Sequence, residues 1–222
     1  MNRRLELTRG RIIALIIGIP LSLAVISGFV IDVLGDLASG TQPVRFDLPA
    51  HGRAVTVSVE AGDLRLTTSA DGRVKLDGIA LYSLFRPLIT SQSTGPGIVL
   101  TSHCHISITR CEFDYHLALP AGGTANLTDG SGDITGSGLV SRDLTAVSHA
   151  GNITLKFAVV PDHVDVTTSF GNITLVLPPG RAAYRVDASA PFGTSTIRVP
   201  TSPASRHVLT VSDTSGSITI KN

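Results

Sequence analysis

Aromatic side chains are scarce in this 222-residue chain, which contains no tryptophan, seven phenylalanines and three tyrosines. Surfaces that bind sugars or single-stranded nucleic acids commonly present aromatic rings for stacking, so this shortage argues against both kinds of surface. Charge is also sparse and balanced, with 18 Lys and Arg residues against 17 Asp and Glu residues. The chain therefore lacks a global basic field that could hold a phosphate backbone, and we expect no nucleic-acid partner.

Recognisable catalytic motifs are lacking as well. The sequence contains no nucleophile elbow, no phosphate-binding glycine loop that ends in lysine and no H-E-x-x-H zinc motif. We therefore predict that the protein is not an enzyme and binds no cofactor. A hydrolase of wall polymers is the least favoured function.

One segment near the amino terminus is almost wholly apolar. Residues 12–34 read IIALIIGIPLSLAVISGFVIDVL, and as a helix these 23 residues would extend about 34 Å, enough to cross a bilayer. Four arginines precede the segment, whereas Asp32 and Asp36 lie at its end. The positive-inside rule then places residues 1–11 in the cytoplasm and the rest of the chain outside it.

The remaining chain divides into a polar linker, residues 35–43, and an exported domain, residues 44–222. A cleaved signal peptide is the alternative to an uncleaved anchor, because small residues near Ala38 could be cut by a peptidase. The apolar run is about twice the usual length of a signal peptide, which favours the anchor. We predict a single-pass protein of the cell membrane, with its amino terminus in the cytoplasm and its domain extracytoplasmic.

Beyond the linker, apolar and polar residues alternate with a period of two, which predicts an all-β domain. The phrase GNITL occurs twice, twenty residues apart. Two series of apolar residues share that period of about twenty, and we predict that each series stacks in the core. The first series is Ile134, Ile153, Ile173, Ile197 and Ile218, and the second is Leu127, Val147, Val166, Val186 and Val208.

A fixed period of this length is typical of a repeat architecture in which each unit buries its apolar side against its neighbours. We predict a β-solenoid with units of two short strands joined by a turn rich in Gly and Ser. A two-sheet β-sandwich built from successive hairpins is the alternative. Residues 83–97, rich in Pro, Ser and Gly, interrupt the pattern and are predicted to form a surface loop.

The two cysteines, Cys104 and Cys111, both lie in the predicted exported part. A pair of cysteines in an oxidising compartment favours a disulfide. Residues seven apart on one straight strand face opposite sides, so this bond also requires a bulge or corner near Thr109 and Arg110. The alternative is a zinc or copper site that adds His103, His105 and His116, although these histidines would not face the same side as Cys104 on a regular strand.

The repeated phrases also carry a family resemblance. The stretch YHLALPAGGTANLTDGSGDITGSGL (Tyr115–Leu139), the two GNITL copies and the final SGSITIKN resemble the bacterial putative-adhesin family of unknown function. The resemblance covers about residues 46–222. It implies a β-solenoid-like fold, often behind a membrane anchor, with adhesion or envelope roles and without catalysis. The chain departs from the family in having Asn152 and Asn172 where Asp is frequent.

Together these features favour a non-catalytic interaction module for surface adhesion or cell-envelope binding, held at the membrane. The alternative is an envelope-stress sensor or regulator that acts through a partner membrane protein. A protein or cell-envelope component is the expected partner. Because the chain ends on a strand, SITIKN, we also expect the C-terminal coil to offer a free edge for self-association.

Overall fold

The computed structural model describes residues 38–50, 54–93, 97–105 and 110–222, together with Pro20. The predicted cytoplasmic tail lies outside these residues, and so does the predicted transmembrane helix apart from Pro20. Within the described ranges, no helix has the length and apolar character needed to span a bilayer. The described part of the exported domain consists of strands and turns, which confirms the all-β class.

Two mixed sheets contain all seventeen described strands. In chain order the strands are β1 (Ser39–Pro49), β2 (Ala54–Val59), β3 (Gly62–Ser69), β4 (Arg73–Ser83), β5 (Leu88–Ser93), β6 (Gly97–His103), β7 (Cys111–Pro120), β8 (Thr124–Ser131), β9 (Ile134–Leu139), β10 (Asp143–Ala150), β11 (Ile153–Phe157), β12 (His163–Phe170), β13 (Ile173–Val176), β14 (Arg185–Ser189), β15 (Thr194–Arg198), β16 (Val208–Ser215) and β17 (Ser217–Lys221). The first sheet has the order β1-β4-β7-β3-β9-β11-β13-β17-β15, and the second has the order β14-β16-β12-β10-β8-β2-β6-β5.

From β8 onward, the chain alternates between the sheets, so each successive pair of strands forms one coil with a corner between its two strands. Neighbouring coils pair in parallel, as in β10 with β12 and β11 with β13. Their apolar side chains point inward between the two sheets, where a continuous core is buried. This winding is solenoid-like, whereas successive hairpins would have given antiparallel neighbours.

The coils do not follow one another in chain order. The last coil, β16–β17, lies between β12–β13 and β14–β15. Because β17 has a strand on each side, the expectation of a free edge at the C-terminal coil is wrong. The coil β14–β15 occupies that end of the stack instead.

Four members of the first predicted series stack as expected. Ile134, Ile153, Ile173 and Ile218 are fully buried, and each pairs with the next across adjacent strands. Ile197 lies in the end coil, β14–β15, and does not belong to this row, because it pairs with Ile220 of β17 and is 42% exposed. The end coil has no further described coil to cover it, so its apolar side chains stay partly in solvent.

The second predicted series is correct at two positions and wrong at three. Leu127 and Val166 are buried, and Ala146 lies between them where Val147 was predicted. Val147 pairs with two threonines on the outer face. The error is one residue in phase, and since side chains alternate along a strand, a shift of one moves a residue to the other face.

The other two misassigned valines lie near the free end of the stack. Val186 is half-buried in the end coil and pairs with Leu209, one row away from Val166. Val208 pairs with His163 on the outer phase and is also half-buried.

Two further boundaries differ from expectation. Strand β1 begins at Ser39, so five of the nine residues of the predicted linker, Ser39 to Pro43, belong to the first sheet. Part of the predicted loop at residues 83–97 forms β5, an edge strand that pairs antiparallel with β6. This strand was not predicted because its sequence, LITSQS, is mostly polar and shows no alternation, as an edge position buries few side chains.

Glycine is required at the corners by backbone contact between coils. A Cβ at Gly151 would overlap the carbonyl oxygen of Gly132, and a Cβ at Gly171 would overlap the carbonyl oxygen of Gly151. Both residues also have φ of 153°, a conformation that residues with a side chain rarely adopt. The repeated GN phrase therefore marks the point where consecutive coils come closest.

This contact predicts a large penalty for a side chain at a corner. We expect Gly151→Ala to lower the free energy of unfolding by about 3 kcal/mol or more, because either the corner or the stacked carbonyl must move. Gly138→Ala is the matched control, since Gly138 has φ of 61° but open space around it. It should cost only about 1–2 kcal/mol of backbone strain. Equal losses in urea unfolding followed by circular dichroism would contradict the stacking account.

Candidate interaction surface

The residue after each corner glycine belongs to a polar row on the outside of the stack. Asn152 donates its backbone N–H to Oδ1 of Asp133, at 2.7 Å, and its side-chain Nδ2 to the same oxygen, at 3.2 Å. Asn172 makes the equivalent bonds to Oδ1 of Asn152, at 3.0 and 3.1 Å. Each side chain thus supplies the acceptor that the neighbouring corner's backbone needs.

The row continues at both ends with different side chains. At one end, Asp133 donates its backbone N–H to Asp63, and at the other, Ser217 donates to Asn172. Ser217 also accepts the hydroxyl of Thr194 in the end coil. We infer why asparagine replaces aspartate in the middle: Asn152 needs an N–H donor toward the Asp133 carboxylate, which a second carboxylate would repel.

A second polar row lies inside the same corner, three residues before each glycine. Ser148 donates its hydroxyl to the carbonyl of Gly132 at 3.3 Å, and Thr168 donates to the carbonyl of Gly151 at 3.2 Å. Both side chains are buried. Sequence reasoning missed this row, although Asp, Ser or Thr at a constant distance before the corner glycine was a visible signal.

Two aspartates occupy the same inner row. Asp129 pairs with Ser148 and Asp213 pairs with Thr168, and both carboxyl groups are buried. One oxygen of each accepts a backbone N–H two residues ahead, from Ser131 or Ser215. The other oxygen, Oδ2, has no hydrogen-bond partner among the described residues.

Burial favours the protonated form of both groups. It raises the pKa of Asp129 to about 7, with a further rise from the carboxylates of Asp63 and Asp133, while the N–H of Ser131 opposes the change. Burial also raises the pKa of Asp213. A protonated carboxyl group can donate a hydrogen bond from its second oxygen, as the hydroxyls of Ser148 and Thr168 do.

The two cysteines close the corner of another coil. The predicted disulfide between Cys104 and Cys111 is present, with the two Cα atoms 5.9 Å apart. Strand β6 belongs to one sheet and β7 to the other, so the chain changes sheets between the two cysteines. Thr109, where a bulge or corner is predicted, lies outside the described residues. A loop of this length is stabilised by about 2.5 kcal/mol in the chain-entropy account.

The alternative metal site is incompatible with this bond, because neither sulfur remains as a thiolate ligand. His103 lies 3.7 Å from the carboxylate of Glu60, and His116 contacts the hydroxyl of Thr67 on the neighbouring strand. Across the described part of the chain, no three His, Cys, Asp or Glu side chains are grouped in a way that could hold a metal ion.

Apolar side chains are exposed at the far end of the stack, around the end coil. Phe192 is 77% exposed and Ile197 is 42% exposed. Phe170, at the end of β12, lies two coils away from the end coil, is 59% exposed and makes an edge contact with His149 of β10. Strand β15 has one strand neighbour, β17, so one of its edges faces away from the sheet.

Comparison with known proteins identifies the family. Residues 48–221 match the family model described as Toastrack DUF4097, and the chain belongs to this family. No curated protein matches the chain.

Solved structures also match the chain at low sequence identity. The "putative cell adhesion protein" from Clostridium sporogenes ATCC 15579 superposes with a TM-score of 0.58 at 16% identity, covering 81% of this chain and 99% of that one. A "putative adhesin" from Bacteroides fragilis NCTC 9343 gives a TM-score of 0.36 at 15% identity over 82% of this chain and 97% of that one. The first match shows a shared fold, and the resemblance to an adhesin-like β-repeat family is confirmed.

The outer row predicts a charge effect that depends on position. We expect Asn152→Asp to lower the free energy of unfolding by about 1–2 kcal/mol, since it loses the Nδ2 hydrogen bond and places a carboxylate beside Asp133. Asn172→Asp loses the same kind of bond, but its neighbour is the neutral amide of Asn152. Asn172→Asp should therefore lower the free energy of unfolding by less than Asn152→Asp does. Added salt should reduce the difference between the two variants, because it screens the repulsion from Asp133. If the two variants lose the same free energy of unfolding, at low salt as well as at high salt, the charge of Asp133 has no role.

The inner row predicts an unusual pH dependence. The pKa of Asp129 is about 7 when folded and near 4 when unfolded, so the folded state binds more protons between these values. Its contribution to stability is full below about pH 4 and is lost as the pH rises through about 7. We expect Asp129→Asn to flatten this decline, measured by urea unfolding at several pH values. Parallel curves for the wild type and the variant would show that Asp129 is already ionised when buried.

Proposed function

We propose that this chain is a membrane-anchored, extracytoplasmic β-repeat module that binds a protein or cell-envelope partner without catalysing a reaction. The binding site is the free edge of β15 together with the apolar side chains beside it. The mechanism is strand addition, in which backbone N–H and C=O groups of the edge pair with an extended segment of the partner.

One observation supports this choice above others: the end coil presents an edge strand beside exposed Ile197 and Phe192. The edge of β14 is less open, because Tyr184, just before it, exchanges backbone hydrogen bonds with Pro200 and Ser202. The segment around residue 201 thus covers the start of β14, whereas no described strand pairs with the outer edge of β15. An uncovered edge strand is a template for pairing with another chain.

The membership in the Toastrack family agrees with a binding role and indicates no catalytic family. The Clostridium structure that shares this fold has the description "putative cell adhesion protein", which supports adhesion as the context of the binding. Anchoring by residues 12–34 would hold the domain close to its partner at the cell surface.

A charge placed at the free edge tests this proposal. The full chain is immobilised and exposed to solubilised membrane and wall fractions, and the bound partner is quantified. We expect Ile197→Lys to reduce partner recovery at least fivefold, because the lysine must be desolvated when a strand is added.

Val159→Lys is the matched control, since Val159 is also 42% exposed but lies on a turn after β11. It should leave recovery unchanged. Substitutions at such exposed sites alter the free energy of unfolding by about 0.5 kcal/mol or less, so both variants should fold. Equal recovery with the two variants would rule out binding through β15.

A further inference from the structure

The end of the stack opposite to β15 carries a second group of exposed apolar residues. Residues 84–88, here named the LFRPL segment, connect β4 to β5 and include the first residue of β5. Leu84 is 38%, Phe85 is 44% and Leu88 is 62% exposed, and Arg86 between them is exposed as well. Pro87 is buried and fixes the segment to the domain.

The backbone of this segment is held in an uncommon conformation. Leu84 has φ of 66°, and it alone among the described residues other than glycine has a positive φ. Its N–H donates to the carbonyl of Ala38, at 3.3 Å, and the N–H of Ser83 donates to the carbonyl of Arg110, at 2.9 Å. The ring of Phe85 lies 5.6 Å from that of His105. Strained positions that persist in a fold are concentrated at binding sites.

The hydrogen bond from the N–H of Leu84 to the carbonyl of Ala38 holds the LFRPL segment close to the end of the predicted anchor. The apolar run ends at Leu34, four residues before Ala38. Four residues reach at most about 14 Å when extended. The headgroup region on each side of a bilayer is about 5–8 Å thick. The LFRPL segment is therefore tethered within reach of the membrane surface.

The side chains suit that environment. Leucine and phenylalanine insert readily below the headgroups, and arginine extends its charge toward lipid phosphates. Arg110, exposed beside the segment, adds a second positive charge. Tyr82 and Arg110 also line a groove of about 320 Å³ at the start of β1, next to the same end of the stack. Tyrosine is enriched at membrane–water interfaces.

We infer that the LFRPL segment docks onto the outer surface of the lipid bilayer, with Leu84, Phe85 and Leu88 among the upper acyl chains and Arg86 at the phosphates. This inference rests on the membrane anchor of the proposed function. Docking would set this end of the stack on the membrane. The first sheet has nine strands, so β15 would then lie up to about 38 Å from this end.

Tryptophan fluorescence can test the docking directly, because the chain contains no tryptophan. Full-length Phe85→Trp is reconstituted into vesicles of equal parts phosphatidylcholine and phosphatidylglycerol, some containing a lipid with a nitroxide near the top of its acyl chain. Phe192→Trp, at the far end of the stack, is the matched control. Leu88→Trp replaces Phe85→Trp if that variant does not give the wild-type circular dichroism spectrum.

We expect nitroxide lipid to reduce the fluorescence of Phe85→Trp at least twofold and to leave that of Phe192→Trp unchanged. Iodide dissolved in the water should quench Phe192→Trp more strongly than Phe85→Trp. Adding Arg86→Glu to Phe85→Trp should reduce the lipid quenching in these anionic vesicles. If Phe85→Trp is quenched by iodide as strongly as Phe192→Trp and is insensitive to the nitroxide lipid, docking is overturned. Protection from iodide without lipid quenching also overturns it and indicates that protein covers the segment.

Flotation of the vesicles on a density gradient separates this inference from the proposed anchor. If the chain floats with the vesicles but shows no lipid quenching, the proposed anchor is supported and the docking is overturned. If the chain does not float, both the anchor and the docking are overturned.

Discussion

The close stacking of backbone at the glycine corners is the constraint on which the rest of the fold depends. At the stacked corners, the space that a Cβ would occupy is filled by a backbone carbonyl of the neighbouring coil. Strands in a sheet are spaced about 4.8 Å apart, and the corners must keep that spacing if both sheets are to stay in register. Glycine permits this, so the isoleucines of successive coils can meet in the core.

The same corners organise the polar side chains on both of their sides. The residue after the glycine gives the next coil a hydrogen-bond acceptor, and the residue three before it gives the corner carbonyl a donor. Asn152 fits the outer row because the amide both donates and accepts, whereas Asp129 fits the inner row because burial favours its protonated form. Equivalent positions along the stack thus take different residues according to their burial and to the charge of their neighbours.

The two ends of the stack differ, and the winding order is the cause. The chain begins its central coil with β2 and β3, adds β4 to β7 on one side, and then builds the remaining coils on the other. The disulfide and the LFRPL segment therefore belong to the end near the amino terminus. The coil β14–β15 forms the other end, because β16 and β17 return to fill the position beside β12 and β13. A partner at β15 and a membrane at the LFRPL segment would not compete for the same surface.

The sequence by itself determined the all-β class, the coil period of about twenty, the cysteine pair and four of the five isoleucines in the first core row. These features depend on alternation and on glycine spacing, which are local properties of the chain. The tertiary structure decided the order of the coils, which is why Ile197 is exposed and β17 is interior. It also decided which face of the strand Val147 occupies, because the adjacent apolar residue Ala146 makes the alternation ambiguous. It decided the strand β5 as well, because the polar sequence of an edge strand gives no clear alternation. Pairing between distant strands selects one register, and no local pattern contains that information.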